Sequence, residues 1–202
     1  MLGPLVGPAT GGSLVQLLSD HDINARMVGS RKDGTMSNSE HEGWRGFRID
    51  EIEKKAKKSV QDLFPNIFLV NVGSNDCLQS FDIDRAGERM CQMIDFLWLA
   101  CPQSTILLST LLVSADKKVS SMVISVNAQI RALVETKSSE RRKILLVDMY
   151  SPDGPDAQCL VDGIHPNNQG YEKMAILWLR GMQEASNGGF IDLTKYKYHV
   201  AQ

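Results

Sequence analysis

In the stretch "VDGIHPNNQGYEKMA", Val161 to Ala175, Asp162 stands three residues before His165. Within a turn, that spacing brings a carboxylate within reach of an imidazole. The pair would be the acid and base of a hydrolase. The aspartate holds the histidine's tautomer and stabilises its protonated form, while the other ring nitrogen takes a proton. Pro166 restricts His165 to an extended backbone and keeps a helix from starting through it. Asn167 and Asn168 are suitable caps for the helix that follows. Asp, Gly, His and Pro are also common turn residues, so the spacing alone is a weak signal.

A second stretch, "VGSND", puts Asn75 and Asp76 just beyond an apolar run, through Gly73 and Ser74. A side-chain amide at a strand terminus can donate to a developing oxyanion, a contact whose removal costs on the order of a hundredfold or more in rate. The plainer reading is an Asx-turn that ends the strand. Asp76 reads as a supporting hydrogen-bonding residue. A third stretch, "HEGWRGFRIDEI", holds Gly43 and Gly46, either of which lets a backbone N–H approach a ligand or takes up a positive φ. Trp44 and Phe47 beside them are either sugar-stacking platforms or pins that hold the loop to the body, and pins are the commoner case. His41 reads as a loop residue, and His21 and His199 have no partner pattern, which leaves solvent as their default.

Four apolar runs must position these loops: "ARMVG" (25–29), "IFLVNVG" (67–73), "TILLSTLL" (105–112) and "ILLVDM" (144–149). Three are nearly continuous, as expected of strands covered by helices on both faces of a parallel sheet. Helical periodicity links them over 49–61, 83–101, 119–134 and 171–182, and an opening helix is expected from about Ser13 to Ser19. Strand and helix alternate, so a three-layer α/β/α domain with a mainly parallel sheet is expected over 1–185, with 186–202 as a C-terminal tail. In such sheets the ligand site lies at the carboxyl ends of the strands, where "GSND", "LVSADKK" and "YSPDGPDAQCLVDGIHP" fall, and "EHEGWRGFRIDEI" follows the first run after a loop of about a dozen residues.

The 202 residues suffice for one well-cored domain. A net charge of −2 offers no basic stripe for phosphates and argues against nucleic acid as the main partner. No apolar run has the length of a membrane span. "MLGPLVGPATGG" lacks the basic start and sustained apolar core of a secretory signal. Cys77, Cys91, Cys101 and Cys159 form no CxxC pair, so neither a metal site nor a redox motif is indicated.

Together, "HEGWRGFRIDEI", "VGSND" and "DGIHPNNQGYEKMA", in their order and spacing, resemble the SGNH (GDSL-type) hydrolase family over roughly Gly11 to Met182. The family's G-x-N-D block is matched by Gly73, Ser74, Asn75 and Asp76, and its D-x-x-H block by Asp162 and His165. The resemblance implies that Asp162 and His165 complete a catalytic triad and that Asn75 and the Gly46 N–H form the oxyanion hole. It also implies a flavodoxin-like sheet of order 2-1-3-4-5 and no metal or other cofactor. The wording "EGxxGF" is most similar to the carbohydrate-esterase branch, typically secreted, whose members deacetylate xylan and related sugars. The implied partner is a small-molecule or polysaccharide ester, with short-chain esters and lysophospholipids also open.

One block departs from the pattern. The G-D-S-[IL] segment, with the nucleophilic serine after the first strand, has no counterpart. "VGPAT", Val6 to Thr10, is its closest equivalent, with Ala9 where serine belongs, and the first strand is expected to be short or incomplete. Ser13 is expected to be a helix cap, and Ser74 carries little weight as a nucleophile. Loss of the nucleophile costs a serine hydrolase about 10⁶ in turnover. Three readings follow: an ester hydrolase, a ligand-binding domain without turnover, or a product whose serine-bearing segment is encoded upstream of Met1.

Overall fold

The structure, a computed structural model, describes residues 2–5, 8–32 and 38–193. Its sheet has four parallel strands in the order β1 (Leu2–Leu5), β4 (Ile67–Val70), β5 (Thr105–Ser109) and β6 (Ile144–Val147). Leu2 lies opposite Ile67, Ile67 opposite Thr105, and Ile106 opposite Ile144. Strand β1 is short, as expected, and spans four residues.

Alternate side chains divide the central strands between two cores. Phe68, Val70, Ile106, Leu108 and Ile144 face helices α2 (Ile49–Leu63), α4 (Ala86–Ala100) and α5 (Lys117–Ser139), meeting Ile52, Met90, Ile94 and Ile130. Ile67, Leu69, Leu107 and Val147 face α1 (Pro8–Asp20) and α6 (Asn168–Asn187), where Leu14, Leu18, Met174 and Trp178 pack. This is the expected three-layer α/β/α arrangement. Phe190, Ile191 and Leu193 continue the second core beyond α6, and Thr105 Oγ1 donates to Phe190 O at 3.1 Å.

Two local expectations are corrected. "ARMVG" is not a strand of the sheet, because Met27 is a single bridge residue and the run otherwise has no ladder. Asn38 takes the ladder's place. It accepts from Met27 N at 2.7 Å and donates to Ala25 O at 2.7 Å. The described sheet therefore corresponds to 1-3-4-5 of the expected order. The outer side of β1 is approached instead by a two-stranded antiparallel ribbon, β2 (Arg31–Lys32) and β3 (Glu40–His41). The second correction is Ser13, which lies inside α1 and does not cap it, since the helix starts at Pro8. A proline suits a first helical position, where its missing N–H has no partner to lose.

All four cysteines are free thiols. Among the described residues no helix is long and apolar enough to cross a membrane. The tail residues 194–202, His199 included, lie outside the described residues.

Candidate active site

Because every strand of the sheet is parallel, the segments that follow β4, β5 and β6 leave its carboxyl edge together. Asparagine side chains tie these segments down. Asn71 Nδ2 donates to Ser109 Oγ at 2.6 Å, joining the ends of β4 and β5. Buried Asn127, on α5, accepts from Leu111 N at 2.7 Å and donates to Leu111 O at 3.1 Å, which fixes the chain beyond β5. Neither role was expected from the sequence, although Asn71 stands out as the one polar residue in its apolar run. The segment beyond β6 is anchored in turn when Ala115 N donates to Gly163 O at 2.9 Å.

Residues 159–167 close on themselves as a small hairpin. Leu160 and Pro166 form an antiparallel bridge, Val161 N donates to His165 O at 2.8 Å, and Asn167 N donates to Cys159 O at 2.8 Å. Helix α6 then starts at Asn168, capped by Asn167, whose side chain accepts from Gly170 N at 3.0 Å and donates to Gln158 O at 3.0 Å. Pro166 and Asn167 act here as their types predict, whereas Asn168 is the first residue of the helix and not its cap.

At the hairpin's tip Asp162 and His165 meet. Asp162 Oδ1 accepts from the backbone N–H groups of Ile164 at 3.0 Å and His165 at 2.8 Å, and Oδ2 lies 2.7 Å from His165 Nδ1. The His165 N–H and then its ring hold the Asp162 carboxyl well below the usual range, at about 2. A carboxylate ionised at neutral pH only accepts, so Nδ1 carries the proton and donates. Nε2 is then the free basic nitrogen, and it has no hydrogen-bond partner among the described residues. Both side chains are about half exposed, at 56% and 52%, so the pair is open to a reactant from solvent.

The loop 43–48 and helix α3 (Ser74–Leu78) form a second unit. Gly73 caps α3 with φ +112°. Asn75 Nδ2 donates to Phe47 O at 3.0 Å, and Gln79 Nε2 donates to Gly46 O at 2.9 Å. Gln79 was not foreseen, though its position one turn after Asn75 on the same helix side was readable. Asn75 keeps a second amide hydrogen beyond the one given to Phe47.

The two glycines of the loop differ. Gly43 N donates to His41 Nδ1 at 3.0 Å and is spent there, whereas the exposed Gly46 N–H has no acceptor among the described residues. Gly46 has φ +81°, a conformation that glycine adopts without strain. His41 is a buried residue of β3 and not an exposed loop residue.

Asp76 lies beneath this unit, fully buried. It accepts from Ile49 N at 3.1 Å, the first residue of α2, and from the Arg89 guanidinium of α4. Burial pushes its carboxyl up, and Arg89 and the Ile49 N–H oppose that rise. Arg89 also donates to Phe81 O and Asp82 O, so one buried ion pair knits α2, α3 and α4 together.

Trp44 and Phe47 stack on each other with centroids 5.5 Å apart, Lys55 Nζ sits 4.1 Å from the Trp44 centroid, and Trp44 Nε1 donates to Glu42 at 3.2 Å. Contacts of this kind pin the loop to α2. Ala9 lies in the first turn of α1, four residues after Leu5 at the end of β1, at the carboxyl edge of the sheet. Val6 and Gly7 between them lie outside the described residues. Among the described residues no group of three His, Cys, Asp or Glu side chains comes together as a metal site.

Comparison with known proteins adds a lineage to this geometry. The family model described as GDSL-like Lipase/Acylhydrolase matches residues 10–173. A curated relative, a multidomain esterase of Ruminococcus flavefaciens, is 27% identical over 137 residues, covering 64% of this chain and 17% of that protein's length. A family 3 carbohydrate esterase from Clostridium thermocellum has a similar structure, with a TM-score of 0.80 at 19% identity over 94% of this chain and 98% of that one. A carbohydrate esterase family 3 structure from Talaromyces cellulolyticus gives a TM-score of 0.79 at 19% identity, over 93% and 97% of the two chains.

Proposed function

Because the chain belongs to the GDSL-like lipase/acylhydrolase family, we propose that it is an ester-hydrolase domain directed at acylated carbohydrates, with Asp162 and His165 as its base arm and Gly46 N–H and the Asn75 amide as oxyanion donors. The observation that carries this reading is the 2.7 Å contact from His165 Nδ1 to an Asp162 carboxylate held at about 2, which leaves Nε2 as the base. The free Gly46 N–H, on a loop tied to α3 by Asn75 and Gln79, supports the second half. The carbohydrate direction is supported by the structural neighbours, which are carbohydrate esterases, and by the "EGxxGF" wording.

In the intact reaction a hydroxyl attacks the ester carbonyl and its proton passes to His165 Nε2. Asp162 stabilises the imidazolium, and the two donors accept the charge that develops on the carbonyl oxygen. In this reading Ala9 occupies the nucleophile's position, which makes the chain as written a site with base and oxyanion donors but no attacking serine, slow or silent in turnover.

Hydrolysis of p-nitrophenyl acetate tests this. We expect the unaltered chain to stay near background and Ala9→Ser to raise the rate by at least about a hundredfold, a small part of the roughly 10⁶ associated with a nucleophile. Adding His165→Ala to Ala9→Ser should return it to background. A gain that survives His165→Ala would remove the base from its role, and brisk turnover by the unaltered chain would place the nucleophile elsewhere.

A further inference from the structure

Resting on the acylated-carbohydrate reading, we propose that the cleft between α2 and the Gly29–Ser30 segment is a subsite for a carboxylate-bearing sugar unit adjoining the esterified one. The cleft measures about 490 Å³, within the range of about 300–1,000 Å³ typical of small-ligand sites. Ser30, Trp44, Lys55, Lys58 and Asp62 are the lining residues with chemistry to offer.

Two of the charges in the cleft, those of Lys58 and Asp62, are uncommitted, while the Lys55 ammonium lies over the Trp44 ring at 4.1 Å. Lys55 and Lys58 stand one turn apart on the same side of α2. Lys57 on that helix is neutralised by Glu53 at 2.6 Å, but Lys55, Lys58 and Asp62 have no ion-pair partner among the described residues. Arg31, with its guanidinium 4.7 Å from the Trp44 ring, stands at the edge and is likewise unpaired. The remaining acid, Glu42, is turned away from the cleft's needs, since its two oxygens are taken by Ser30 N at 2.6 Å and Trp44 Nε1 at 3.2 Å. That buried carboxylate joins the Ser30 and Trp44 walls to each other, so the cleft has a set shape.

A ligand that satisfies these groups carries one carboxylate for the two ammoniums, hydroxyls for Asp62, and a partly apolar body against the part of Trp44 that lines the cleft beside Phe47, Lys55 and Arg31. Those are the properties of a uronic-acid unit. A neutral sugar leaves the ammoniums unused, and a bare anion leaves Asp62 and the indole unused. The location agrees. Trp44 precedes Gly46 by two residues, at most roughly 7 Å of chain, so a polymer whose ester reaches the Gly46 N–H has its neighbouring unit near this cleft.

Titration calorimetry on the full chain tests the subsite without turnover. An oligogalacturonate and a neutral xylo-oligosaccharide of matched length are the probes, with inorganic sulfate as competitor. We expect the acidic oligomer to bind at least about tenfold more tightly than the neutral one, and Lys58→Glu to weaken it about tenfold, equivalent to about 1.4 kcal/mol. Lys54→Glu, an exposed change on the same helix outside the cleft, should leave binding as it was. Equal binding of the two oligomers, no binding of the acidic one, equal loss in both variants, or sulfate binding as tightly as the acidic oligomer would each overturn the proposal. Failure of the esterase reading appears separately, in the nitrophenyl acetate assay, whatever the calorimetry gives.

Discussion

Asp162 combines two properties that usually exclude one another: it is half exposed to water, yet each of its oxygens is engaged by the residues directly after it. Its carboxyl is held below its ordinary value of 3.8. The contribution of these bonds to folding is therefore complete above about pH 4 and is lost as the pH falls through about 2. Carboxyl NMR should show a midpoint near 2 that moves up in His165→Ala, where the ring bond is gone but the residue 165 N–H remains. A midpoint at or above 3.8 in the unaltered chain would mean that the contact does not exist in solution. The meeting of Asp162 and His165 was legible because it is local, set by a three-residue spacing and a proline. Residue types alone left Gly43 and Gly46 open, and the family resemblance singled out Gly46. What the sequence did not show is that His41 Nδ1 consumes the Gly43 N–H, which is a matter of backbone direction.

At the scale of elements, strands and helices with continuous or strongly periodic apolar patterns were readable. β4, β5, β6 and α2, α4, α5 and α6 all stand where those patterns lie. The failures share a cause. "ARMVG" carries a strand's composition, but Asn38, eleven residues beyond Met27, bonds Met27 N and Ala25 O, and no ladder runs along the segment. The five-residue α3 is too short to have a period at all, and it is held by Asp76 and Asn75. Asp76 therefore matters for more than its own turn. Asp76→Ala leaves the Arg89 guanidinium, 11% exposed, without its buried partner, and should cost about 3 kcal/mol, measured by urea unfolding. Asp76→Asn, which can still accept from Ile49 N, should cost less. A loss below about 1 kcal/mol in the alanine variant would show that the pair does not join the three helices.

The whole molecule divides into a dry interior and a carboxyl edge built of loops. Amides of Phe68 to Val70 and of Ile106 to Leu108, within central strands buried on both faces, should exchange hydrogen only on global unfolding. Those of residues 161–165 should exchange by local opening. Equal protection in the two regions would contradict this division. Along the carboxyl edge and the segment beside it, one side-chain type recurs as the fastening: the amide nitrogens of Asn71, Asn75, Asn127, Asn167 and Asn38 each donate to a carbonyl or hydroxyl oxygen that holds a segment in place. Asparagine is among the thermolabile residues. Its slow conversion to aspartate exchanges the donating nitrogen for a charged oxygen, which repels the carbonyl partners, though the Ser109 hydroxyl can turn and donate to it. Prolonged warm storage would thus wear the protein from its carboxyl edge inwards, with the proposed site loosening while the sheet and its two cores still melt as before.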